Sequence, residues 1–265
     1  MPSTTRSTPT TTRVARISYL NSAPFFEGLA LGARYALLDC VPKAIGLKAD
    51  AGEIDAGLLP VWDFLRLRPR FEPLGRSGIA VHGRVRSVLL FSLKPIRQLE
   101  GARIAVTDET STSAVLLRLL LERRYRVYPA AYEVLPPRTS SDADALLLIG
   151  DEALRFQRTN AHYPFEIDLA FEWWLWQHLP CVFALWAVRS DVVASEKKSL
   201  EAALARALAI NSGQLAAIAA AHAGRLGVPA EDLAAYLGAF HYRFGPEEAR
   251  AIETFAELAH AHHLL

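Results

Sequence analysis

The sequence predicts an α/β fold in two lobes with an interlobe cleft and a helical C-terminal tail. Three observations carry this. Strand-like apolar runs alternate with helix signals from Arg13 to Val188, which indicates layered α/β architecture with parallel strands. A second α/β unit begins at Ala102, after the first has run from Arg13. From Ser195 to the end the pattern is helical and rich in Ala and Leu, broken near Gly227-Val228-Pro229 and Gly245-Pro246. The chain is expected to cross between lobes near Phe91 and to return near Ala187, giving one lobe of residues 13–91 plus 188–265 and another of 92–187. Two crossings make a hinge, and a hinge makes a cleft.

Taken in order, Met1 to Thr12 is rich in Ser, Thr and Pro and reads as a disordered tail. Arg13 to Tyr19 alternates and carries β-formers; Asn21-Ser22 and Pro24 stop it, and an apolar pattern resumes at Phe25. Tyr35 to Pro42 reads as a strand, Lys43 to Gly52 as a helix ending at glycine, and Ile54 to Pro60 as a short buried strand. Ser87 to Lys94 is another strand, halted by Pro95. In the second unit, Ala102 to Val106 leads through Thr107–Ser113 into a helix from Ala114 to Arg124. Tyr132 to Leu135 and Ala145 to Ile149 are its later strands, and Cys181 to Val188 leads back out.

A chain of 265 residues, 51% hydrophobic and 22% charged, buries a large core and is not disordered. A net charge of +1 gives no electrostatic case for nucleic acid or an anionic membrane surface, so any anion site must be local. Cys40 and Cys181 form no C-x-x-C pair and have no companion His cluster at metal spacing; two buried reduced thiols are expected, with no metal. The N-terminal segment has no secretory apolar core, and no stretch reaches the roughly 20 apolar residues of a membrane span. A cytoplasmic protein is the expectation.

Candidate site residues sit where strands stop. Asn21 stands at the carboxyl end of a strand, where open α/β sheets hold ligands, although Asn21-Ser22 also suits a helix cap. Thr110 reads as an N-cap, placing Ser111, Thr112 and Ser113 in a first helical turn whose free amides and hydroxyls suit a carboxylate or phosphate, or simply cap the helix. Gly150 permits close backbone approach, and Asp151 either meets a substrate hydroxyl or starts a helix. Ser87 follows Arg84 and Arg86 at the opening of its strand. Trp173, Trp174 and Trp176 fall within four positions, a density that usually means core or lobe-interface packing, though one of them can wall a planar ligand. Hydrolase, nucleotide-binding and zinc-protease motifs are all missing.

Together, Ile17 to Pro24, Gly57-Leu58-Leu59-Pro60, Ser87 to Leu90, Thr110 to Ser113 and Ile149 to Leu154 resemble the chorismate dehydratase family, which opens the futalosine route to menaquinone. Asp168 to Trp173, Leu179-Pro180 and Phe183 to Trp186 resemble the same pattern. Here Ala170 replaces the glycine of Asp-Leu-Gly, and Gln177-His178 replaces the Thr-Gly of Thr-Gly-Leu-Pro.

The resemblance implies a fold like the type II periplasmic solute-binding proteins, with the site between lobes. It also implies loss of water from chorismate to give 3-[(1-carboxyvinyl)oxy]benzoate, with no cofactor. Asn21 and Asp151 are the expected catalytic residues, and Ser22, Leu59, Ser87, Ser111, Thr112, Ser113, Gly150 and Trp173 the expected substrate contacts. The proton is expected to leave to the substrate's own enolpyruvyl carboxylate or to Asp151. Rival readings are a cytoplasmic small-carboxylate sensor without catalysis and an enzyme like 1,4-dihydroxy-6-naphthoate synthase. The latter's Ser-Pro-Cys-Asn-type opening turn is missing here.

Overall fold

A computed structural model describes residues 11–136 and 142–264. Strand β1 (Thr12–Ile17) runs parallel to β2 (Tyr35–Cys40) on one side and to β3 (Ala56–Pro60) on the other. Thr12 is thus a strand residue paired with Tyr35, outside the expected tail, whose residues 1–10 lie outside the described residues. Helix α1 (Ala23–Phe26) follows a 3-10 turn at Leu20–Ser22, α2 (Pro42–Asp50) stops before Gly52, and α3 (Val61–Leu67) follows β3 directly. Next come β4 (Phe71–Val81), β5 (Val88–Ser92) and β6 (Arg103–Thr107). Helix α4 (Thr112–Arg118) then continues as a π-helical stretch over Leu119–Tyr125. The chain proceeds through β7 (Ala131–Leu135), β8 (Ala145–Ile149), α5 (Gly150–Thr159), β9 (Phe165–Asp168), α6 (Leu169–Gln177) and β10 (Cys181–Arg189). The tail holds α7 (Ala194–Asn211), α8 (Leu215–Leu226), α9 (Ala230–Gly238), β11 (Phe240–Arg243) and α10 (Pro246–Ala261).

The strands form two sheets, one of six strands in the order β11-β4-β10-β3-β1-β2 and one of five in the order β7-β6-β8-β5-β9. Both are mixed and not parallel throughout: β10 lies antiparallel to β3 and β4, and β5 antiparallel to β8 and β9. The crossings also differ from expectation. Val88 to Ser92 pairs within the second sheet and Cys181 to Arg189 within the first, so the chain passes over in residues 82–87 and returns in residues 169–180, ahead of Phe91 and Ala187. Both strands are apolar and mostly buried, and such a run does not encode which sheet takes it. The tail also contains a strand, since β11 adds to β4 at the sheet edge.

Leu58 and Leu59 of β3, Leu89 to Phe91 of β5 and Leu147 of β8 are fully or almost fully buried, each side chain contributing about 2 kcal/mol. Cys40 and Cys181 are free and buried, as expected. Helix α7 packs on α1, and α8 on α9, so the tail braces the first sheet. No single helix among the described residues is long and apolar enough to cross a membrane.

Candidate functional site

The ends of β1, β3 and β8 meet the start of α4 around one cleft. Ile17, Tyr19, Asn21, Pro60, Ile79 and Phe183 line it from the first sheet's elements. Val85, Ser87, Thr110, Ser111, Thr112, Ser113, Ile149 and Gly150 line it from the crossover and the second sheet's elements. The described lining therefore offers hydroxyls, one carboxamide, backbone amides and apolar walls.

Asn21 lies at the centre of the 3-10 turn after β1, and its Oδ1 is buried with no hydrogen-bond partner among the described residues. A buried acceptor left unpaired costs roughly 1–3 kcal/mol, and a site is where a protein carries that cost. The turn is held by its neighbour: Ser22 Oγ bonds the carbonyls of Ile17 and Tyr19 at 2.6 and 2.8 Å. Ser22 is thus a structural residue of the turn and does not line the cleft. Tyr19 donates its hydroxyl to Glu109, tying the two sides together at the cleft mouth. Burial pushes the Glu109 carboxyl up, the Tyr19 hydrogen bond opposing it in part.

Ser111 occupies the N-cap position of α4, one residue after the expected Thr110, yet Thr110 Oγ1 still accepts from Ser113 N at 3.3 Å. Ser111 Oγ donates to Asp63 Oδ2 at 2.5 Å, so its lone pairs remain for the cleft. Burial raises the Asp63 carboxyl, and the Ser111 hydrogen bond offsets part of the rise. Trp62 N donates to Thr112 Oγ1 at 3.2 Å, which leaves the Thr112 proton for a ligand. Ser87 is fully buried and accepts from Tyr236 of α9 at 2.9 Å, so its proton is free in the same way.

Gly150 has φ +57, and a Cβ there would lie 2.5 Å from the Tyr19 ring. Only glycine fits both the left-handed backbone and the close approach. Asp151 does not line the cleft. Its Oδ1 accepts from Leu20 N at 2.9 Å and its Oδ2 pairs with Arg225 at 2.8 Å, a latch between α5, the turn after β1 and α8. Leu59 is fully buried, while its neighbour Pro60 faces the cleft. Trp173 is buried in the core and donates to the carbonyl of Pro180 at 3.1 Å. Trp174 is exposed, and Trp176 packs edge-on against Trp173. Tyr19, Asp63, Glu109 and Tyr236 are not among the site residues expected from the sequence. One signal was available: Asp63 is an acid inside the apolar run Val61 to Leu65.

Two mixed sheets joined by two crossings, with a cleft of strand ends and one helix start between them, define the two-lobed fold of the periplasmic binding proteins. The backbone matches a solved protein of Archaeoglobus fulgidus with a TM-score of 0.77 at 19% identity, covering 97% of this chain and 99% of that one. It matches the periplasmic aliphatic sulphonate binding protein of Escherichia coli with a TM-score of 0.67 at 16% identity, covering 97% and 89%. The chain belongs to the menaquinone biosynthesis family, whose model matches residues 12–261. A chorismate dehydratase of Thermus thermophilus is 33% identical over 258 residues, 90% of this chain and 92% of that protein.

Proposed function

We propose that this protein is a hydro-lyase that removes water from chorismate to give 3-[(1-carboxyvinyl)oxy]benzoate, acting in the cytoplasm. The observation that carries the reading is Asn21, which lines a cleft rich in neutral hydroxyls in a member of this family and whose Oδ1 is buried without a partner among the described residues. Chorismate, with both carboxyl groups ionised, offers a single hydrogen-bond donor, its ring hydroxyl. Asn21 Oδ1 is an acceptor waiting for one, and it orients the group that departs. The protons of Ser87 and Thr112 are available for the carboxylates, and donors aimed at the ring carboxylate stabilise charge that spreads into it as the ring proton leaves.

The step balances without a protein base. The enolpyruvyl carboxylate takes the hydrogen from the ring carbon bearing the ether, the C–H electrons become a ring double bond, and the neighbouring C–O bond breaks. The new carboxylic acid then gives its proton to the departing hydroxide, forming water. Asp151, engaged by Leu20 and Arg225 away from the lining, supports this assignment over a protein carboxylate. Aromatisation supplies the driving force, and the lobes exclude water. Incubation with chorismate tests the reading: aromatic absorbance should appear with a product lighter by one water. Tight binding with no product would favour a carboxylate sensor instead.

A further inference from the structure

Away from the cleft, His82, His241 and Glu248 bring three metal-ligating atoms within 4.8 Å of one another. We propose that they form a binding site for a divalent cation of the zinc class, which clips the crossover between the sheets to the C-terminal tail. His82 is the first residue after β4, where the 82–87 crossover begins; His241 lies on β11, and Glu248 in the first turn of α10. Glu248 Oε1 stands 3.9 Å from His82 Nε2 and 3.6 Å from His241 Nδ1, too far for hydrogen bonds. Ligands at about 2.0–2.1 Å around a tetrahedral zinc lie roughly 3.3 Å apart, so small side-chain adjustments close the set.

Two further features fit a ligand set. The Glu248 side chain is buried, and its other oxygen, Oε2, accepts from Gly245 N at 2.7 Å, which fixes the orientation of the carboxylate. Its ion-pair partners among the described residues are the two imidazoles alone, and His82 Nε2 also stands 3.6 Å from the exposed Glu247 Oε2. Two imidazoles with one carboxylate select zinc, cobalt or nickel over magnesium or calcium, and solvent is left for the fourth position.

Tag-free, chelator-treated protein is titrated with Co2+, following visible ligand-field absorption and thermal unfolding. A single-site tetrahedral band and a raised Tm are expected. His82→Ala and Glu248→Gln should each weaken binding about 10–100-fold. The glutamine can still accept from Gly245 N, so that variant keeps its helix cap. His260→Ala, outside the cluster, should bind as the unaltered protein does. Absence of band and Tm shift up to about millimolar Co2+, or undiminished binding in both cluster variants, would overturn the site.

Discussion

Tyr236 of α9 donates its hydroxyl to Ser87 Oγ across 2.9 Å, joining the helical tail to the crossover that lines the cleft. The bond sets which way the Ser87 proton points. Tyr236→Phe should lower stability by about 0.5–1.5 kcal/mol and kcat/KM about fivefold. If Tyr236 acts through Ser87, the double variant Ser87→Ala/Tyr236→Phe will be no slower than Ser87→Ala alone. Steady-state kinetics on all three checks this, and additive losses would show a merely structural tyrosine.

Asn21 and Ser22 are adjacent, yet their truncation should act in opposite ways. Asn21 Oδ1 has no partner among the described residues, so Asn21→Ala should leave Tm unchanged or raised. Ser22 satisfies two buried carbonyls, so Ser22→Ala should cost about 1–2 kcal/mol. Denaturant melts of both variants give the comparison.

Two left-handed positions make a second contrast. Gly150 needs φ +57 and meets the Tyr19 ring, so Gly150→Ala should destabilise by about 1–3 kcal/mol and weaken the Tyr19–Glu109 link. His178 caps α6 with φ +55, a left-handed conformation that glycine adopts without cost. His178→Gly should therefore stabilise, by about 0.5–1 kcal/mol. Thermal unfolding reads both signs.

Acid sensitivity should come from Asp55. Burial alone would raise this carboxyl, but bonds from the Arg13 side chain and N–H, with Arg189 beside it, carry it below the usual carboxylate range. The unfolded chain therefore takes up the proton first. The stabilisation is complete above the unfolded pKa of about 3.9 and is lost as pH falls through the lower folded value. Asp55→Asn should flatten the loss of Tm between about pH 5 and pH 2. An unchanged acid limb would show that other carboxylates control it.

Much of the cleft lining is legible in the sequence because strand ends carry their own punctuation. Asn21, Ser87, Ser111 to Ser113 and Gly150 all follow or open apolar runs, and the structure gathers them around one cleft. What was not legible depended on pairing at a distance. Ser111 meets Asp63 across 48 positions and Tyr236 meets Ser87 across 149, and nothing local announces either bond. Asp151 looked like a site residue because it follows Gly150, but the helix turn directs its side chain to Leu20 and Arg225. Leu59 and Pro60 show the period-two rule at work: neighbours on a strand face opposite ways, and the proline takes the cleft.

The most direct measurement is the rate of aromatic product formation from chorismate by the unaltered protein, Asn21→Ala and Asp151→Asn, each confirmed folded. The unaltered protein should turn over, Asn21→Ala should lose about 100-fold or more in kcat/KM, and Asp151→Asn should stay within about tenfold. No product from the unaltered protein, or an inactive Asp151→Asn beside an active Asn21→Ala, would contradict a cleft in which Asn21 orients a substrate that supplies its own base.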